Sequence, residues 1–195
     1  MIKNFTKNYF DELKKILDRI SLKDIEKITD ILRGAYKSDR HIFIIGNGGS
    51  AATASHFACD LGKGTLSPKG RKKIKRFKVT SLTDNVATMT AWSNDVHYDY
   101  IFSEQLKNLL TANDVVIALS VSGNSPNILN AVKLAKKCRA KTIGITGFDG
   151  GNLSKIANVS INAQTNKYDV AEDIHLILSH IITRYFFETI NKASK

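Results

Sequence analysis

Four short apolar runs, HIFII (41–45), VTSL (79–82), VVIALS (115–120) and TIGIT (142–146), each end in a polar or glycine-rich turn and pass into a helical pattern. That alternation restricts the chain more than any other feature. Strands separated by helices pair in parallel, because the connection must return to the same end of the sheet, and such crossovers take one hand. A fifth short run at about 159–162 leads into a long terminal helix over about 169–192. Further helices are predicted from about Ser50, over 84–93, over 125–138 and over 152–157. Two amphipathic helices come first: Phe5, Tyr9, Leu13, Ile16, Leu17 and Ile20 recur at three and four, as do Ile25, Ile28, Ile31, Leu32 and Tyr36. Ser21 followed by Asp24 suits an N-terminal cap between them. The expected architecture is a three-layer α/β sandwich with extra terminal helices, in one domain over 1–195 with a helical extension over about 1–37. In such folds ligands sit beyond the carboxyl ends of the strands.

Composition excludes several classes. With 195 residues, 43% hydrophobic and 24% charged, the chain is a globular domain and not a disordered or fibrous one. No apolar stretch approaches the roughly 20 residues that span a bilayer. The start, MIKNFTKNYFDELKK, meets charges before any apolar run, so no secretory signal is read and a cytoplasmic protein is expected. Cys59 and Cys138 are too few for a disulfide framework and read as reduced packing residues. The formal charge of +11 suits an anionic partner, and seven of the ten residues over 69–78 are basic. That run fits a solvated loop, a nucleic-acid contact or the rim of a sugar-phosphate pocket. Nucleic acid is disfavoured, since no recognition helix, zinc-finger spacing or stacking motif accompanies the charge.

Two strand ends carry the chemistry. GNGGSAA (46–52) lets the backbone approach an anion and leads into a helix start with unpaired N–H groups. It is neither the dinucleotide G-x-G-x-x-G nor a P-loop with its lysine. SVSGNS (120–125) brings three hydroxyls and a glycine to another helix start. Ser125 is placed as an N-cap, while Ser120 and Ser122 alternate and project to one side. A tight turn and a cap would explain either loop alone; both at one sheet edge point to a shared phosphate.

GNGGSAATASHFACDL, SND (93–95), SVSGNS, TGFDGG and AEDIHLILSH, in this order and spacing, resemble the SIS sugar-phosphate isomerases, and among them the phosphoheptose isomerases. The resemblance spans nearly the whole chain. It implies a five-stranded parallel sheet flanked by helices, a homotetramer bundled through its N-terminal helices, and active sites between subunits. The implied activity is ketose-to-aldose isomerisation, most closely of sedoheptulose 7-phosphate to a heptose 7-phosphate for heptose or surface-polysaccharide synthesis. A non-catalytic SIS module that binds a sugar phosphate is the alternative. Substrate contacts are implied at Asn47, Gly48, Gly49 and Ser50, at Asn94 and Asp95, at Ser120, Val121, Ser122 and Ser125, and at Glu172. The family's acid/base and zinc positions fall on His56, Asp60, Glu172 and His180, one zinc per subunit. The family carries Glu where this chain has Asp60 and Gln where it has Glu172.

The residues also make chemical sense by themselves. His56 and Asp60, four apart on one helix, share a face. Glu172 and His180, eight apart, fall loosely on one side of the terminal helix. Imidazole and carboxylate suit zinc. Isomerisation needs a base, here Asp60, and an acid partner, here His180. His175 reads as packing or a supporting group, Trp92 as packing, and His41 and His97 have no assigned partner.

Overall fold

The computed structural model describes residues 1–67 and 75–192. Most of the basic run predicted over 69–78 therefore lies outside the described residues. Helices α1 (Ile2–Leu17) and α2 (Leu22–Lys37) precede β1 (His41–Gly46), α3 (Gly49–Cys59) and a π-helical turn, Asp60–Gly64. Next come β2 (Lys78–Ser81), α4 (Val86–Asp95), a 3₁₀ turn at Tyr98–Tyr100, α5 (Ile101–Leu109) and β3 (Val115–Ser120). The chain ends with α6 (Pro126–Lys137), β4 (Lys141–Gly147), α7 (Gly151–Ile156), β5 (Val159–Ala163) and α8 (Tyr168–Lys192). Ser21 caps α2 as predicted, its hydroxyl accepting from the Asp24 N–H at 3.2 Å.

All five strands pair in parallel in the order β2-β1-β3-β4-β5. Alternation along each strand feeds two cores. From β1, Ile42 and Ile44 meet Ile28, Leu32, Phe57 and Leu178, whereas Phe43 and Ile45 meet Phe102, Leu106, Ile128 and Val132. Both faces are covered, which makes the three layers. Full burial of each such side chain is worth about 1.5–3 kcal/mol.

Helix α5 was absent from the sequence reading. Its stripe, Ile101, Phe102, Gln105 and Leu106, is buried, but Tyr100 at its N-cap makes no side-chain bond, so the usual start signal is missing. The strand order matters more for function. From β1 the chain crosses to β2 on one side, and from β2 it returns past β1 to β3, so the direction of winding reverses between β1 and β3. Ligand crevices in open parallel sheets form at such a switch point.

Candidate active site

The two loops predicted to carry chemistry follow β1 and β3 and meet at that switch point. They enclose a 120 Å³ cavity lined by Asn47, Ser50, Ser120, Ser122, Ser125 and Glu172. Leu119, Val121 and Tyr168 complete its wall. Gly48 adopts φ +53°, a backbone state that side chains disfavour. A Cβ on Gly49 would lie 2.5 Å from both carboxylate oxygens of Glu172. Glycine is thus needed here for the bend and for close approach. The start of α3 then leaves N–H groups without intrahelical partners at the cavity edge.

The backbone orients two of the serine hydroxyls. The Ser120 hydroxyl oxygen accepts from the Gly123 N–H at 3.2 Å, and that of Ser122 from the Asn124 N–H at 3.2 Å. Each O–H proton remains available for donation to an anion. Ser125 stands at the N-cap of α6 without a side-chain capping bond, and Pro126 occupies the first helical position. Capping therefore does not consume this hydroxyl. Asn47 is fixed by reciprocal bonds with Asn127, at 2.9 and 2.8 Å, and by the Tyr98 hydroxyl donating to its Oδ1 at 3.0 Å.

Helices α3 and α8 run side by side in the same direction from this cavity. Glu172 faces Gly49, His180 faces His56 and Asp60, and Thr183 faces Gly64. At the second level, His56 Nε2 lies 3.3 Å from Asp60 Oδ2 and 3.1 Å from His180 Nε2, and His180 Nε2 lies 3.7 Å from Asp60 Oδ2. One ligand atom from each of the three lies within 4.8 Å of the others. Asp60 opens the π-helical turn, a distortion that often accompanies functional residues. A 460 Å³ cavity beside it is lined by Asp60, His180, Thr183, Arg184 and Phe187 among others.

Other predicted residues lie elsewhere. Glu172, the fourth metal position that the family resemblance implies, does not lie with the three donors in this chain, since eight residues of helix rise about 12 Å. It belongs to the hydroxyl-lined cavity. Burial and the charges of Asp169 and Asp173 raise its pKa. Asn94 and Asp95 are exposed at the end of α4, bonded to each other at 2.8 Å, and do not line the cavity. His175 is 1% exposed and burial pulls its pKa down to about 4, so it is neutral packing. The Thr146 backbone lies near its ring, but neither nitrogen has a well-formed hydrogen bond among the described residues. Cys59 is exposed, contrary to its reading as a packing residue, and Cys138 is half-buried. Trp92 packs partly buried on the second core, His41 meets Thr80 at 2.8 Å, and His97 pairs with Asp99 at 3.3 Å. Tyr168, Asn127 and Tyr98 were missed. Only Asn127, one residue past a proline that follows the cap, carried a usable signal.

The SIS domain is the class that this fold and site define: its family model matches residues 8–147. The phosphoheptose isomerase of Sulfurimonas denitrificans is 35% identical over 93% of this chain and 91% of that protein. That of Aliarcobacter butzleri is 33% identical over 88% of each. The structure of phosphoheptose isomerase GmhA from Neisseria gonorrhoeae matches with a TM-score of 0.85 at 26% identity, covering 95% of this chain and 98% of that one. The chain belongs to the phosphoheptose isomerase family of SIS domain proteins.

Proposed function

We propose that this protein isomerises a long-chain ketose phosphate to the aldose phosphate, with sedoheptulose 7-phosphate as substrate and a heptose 7-phosphate as product. The observation that carries this is the distance along α3. A phosphate at Gly49–Ser50 and reacting carbons at His56 and Asp60 are separated by at least six residues, about 9 Å of helix. A triose phosphate would not reach from one to the other.

Ser50, Ser120, Ser122 and Ser125 donate to the phosphate, with helix-start N–H groups of α3 and α6. Asn47, Gly48, Gly49, Val121 and Glu172 shape the path of the sugar between the two levels. Asp60 takes a proton from C1 of the open-chain ketose, the electron pair moves into the C1–C2 bond, and the C2 carbonyl oxygen takes a proton from His180. Proton return to C2 and loss of the O1 proton yield the aldose. Asn94 and Asp95 enter this scheme only as contacts supplied at a subunit boundary.

The three-donor cluster fits a zinc ion. Ligand bonds of about 2.0–2.2 Å imply donor separations near 3.4 Å in a tetrahedron, and the observed 3.1, 3.3 and 3.7 Å bracket that value. His56, Asp60 and His180 would hold the ion and leave one position open. With His180 Nε2 and one Asp60 oxygen so engaged, the base role would fall to the other Asp60 oxygen, and polarisation at the C2 oxygen would replace the His180 proton. Such an ion polarises a carbonyl when bound. The side chains of His56 and His180 are about half exposed, at 47% and 51%. Ile2, Phe5 and Phe10 on α1 and Phe187 on α8 are exposed too. A homotetramer that buries these apolar residues would also enclose the site. No helix among the described residues is long and apolar enough to cross a membrane, and a cytoplasmic role in heptose supply for surface polysaccharide accords with this reading.

The test is turnover of sedoheptulose 7-phosphate, followed by NMR of the aldose, with zinc added or chelated. Aldose formation is expected. Binding of the sugar phosphate without turnover under any divalent ion would replace this reading with the non-catalytic module. Light scattering that gives 21.6 kDa would exclude the tetramer.

A further inference from the structure

The opposite edge of the sheet holds a second cavity that the chemistry above leaves unused. Its volume is 330 Å³, and it opens between α2 and the starts of β1, β3 and β4. Strand β1, six residues long, separates it by about 17–20 Å from the phosphate loops. Arg40 and Lys141 line it, with Ser38 and Asn113 at the polar side and Ala35 and Val115 beneath.

The acids around this cavity are already engaged. Asp30, which also lines it, is bonded by Arg33. Asp39 pairs with Lys75 at 3.2 Å. Asp114 is buried and accepts from the His41 N–H at 2.9 Å, the Thr111 N–H at 2.8 Å and the Thr111 hydroxyl at 2.9 Å. Arg40 and Lys141 are different: neither side chain has a hydrogen bond or ion pair among the described residues. Arg40 and Lys141 line one concavity, and their guanidinium fork and ammonium are donors with no acceptor capacity of their own. The edge around it is electropositive, because Lys78 and Lys141 open β2 and β4 and Arg40 precedes β1, in a chain of net charge +11. Room is also kept free from the helix side, where a Cβ on Gly34 would meet nothing within 4 Å.

Unpaired cations over an apolar floor select a particular ligand shape. We propose that this cavity is a second binding site, for a small organic anion whose phosphate or carboxylate head is held by Arg40 and Lys141 and whose compact apolar body lies on Ala35 and Val115. The site is independent of the isomerase reading.

Phenyl phosphate and benzoate are the probes, with uncharged phenol as control, and amide NMR locates the binding. Saturable shifts are expected at Gly34, Asn113 and Val115. The stronger of the two anions identifies the head group. Arg40→Gln with Lys141→Gln weakens binding there by about tenfold or more. Gly34→Leu, which fills the cavity without removing charge, abolishes it. Ser120→Ala with Ser122→Ala leaves these shifts intact and removes only phenyl phosphate shifts at the opposite edge, so the two sites fail separately. Absence of anion shifts at these amides, their survival in both cavity variants, or equal binding of phenol would overturn the proposal.

Discussion

The two levels at which α3 and α8 meet are built from different materials. At the first, Gly49 against Glu172, the proposed anion site is built from backbone: a glycine bend, helix-start N–H groups, and two serine hydroxyls, Ser120 and Ser122, each oriented by a backbone N–H. At the second, His56 and Asp60 against His180, the proposed chemistry rests on side chains that approach one another at 3.1–3.7 Å, the two imidazoles about half open to solvent and the Asp60 carboxylate less so. Anion binding needs many weak donors fixed in place, which loops gripped by strands supply. Proton transfer needs few groups aimed well, which rigid helices supply. The levels should therefore fail differently when mutated.

The largest effect is expected at the second level. Asp60→Asn and His180→Ala should each lower kcat by about 10²–10⁴-fold while leaving sugar-phosphate affinity nearly unchanged. Steady-state kinetics paired with calorimetric titration would show the split. Full activity of Asp60→Asn would remove it as the base. At the first level the pattern should reverse: Ser120→Ala with Ser122→Ala deletes two donors to an anion and should weaken binding by about 10–100-fold, at about 1 kcal/mol or more each. Unchanged affinity in the folded double variant would take these loops out of the site.

The same contrast explains how much the sequence disclosed. Backbone-built features leave a mark in composition, so GNGGS and SVSGNS were legible, as was the parallel sheet from its strand–helix alternation, though not the order of its strands. His56 and Asp60 were legible as a pair because four residues on one helix fix their neighbourhood. Bringing His180 to them depends on α8 lying parallel to α3, a tertiary fact that only the family resemblance foretold. Glu172 shows the limit. The family resemblance implied it for the metal set and its helical azimuth was compatible, whereas the rise along α8 sets it beside Gly49. Cys59 was misjudged for a related reason, since the residue before the π-helical turn faces outward there.

A sharper probe of the first level is Gly49→Ala. The added Cβ would collide with the Glu172 carboxylate, which is the far end of a flexible side chain, so the carboxylate moves and the fold survives. Helix propensity even favours alanine at this position. The expected result is an unchanged or slightly raised Tm with sugar-phosphate affinity reduced by several-fold, on the order of 1 kcal/mol. A large loss of stability would mean that Gly48–Gly49 serves the turn and not the ligand.

The smallest effect separates the levels by pH. Glu172 titrates above the ordinary carboxylate range because burial, and then Asp169 and Asp173, disfavour its charge. A carboxyl whose pKa rises on folding holds its proton more tightly in the folded chain, so stability is lost as pH climbs from the unfolded value, about 4.3, through the raised folded one. Glu172→Gln removes that loss. The variant should match the wild type below pH 4 and exceed it at pH 7–8, by less than about 1 kcal/mol, because the group is partly solvated and screened. Anion affinity should follow the same direction, since the wild-type carboxylate shares the cavity with the incoming phosphate. Phosphate binding to Glu172→Gln at pH 8 should be modestly tighter than to the wild type, and the gap should close as pH falls. Metal affinity should not move, because Glu172 lies outside the three-donor cluster. A large drop in zinc binding on Glu172→Gln would instead tie both levels to one ion and restore the four-residue set.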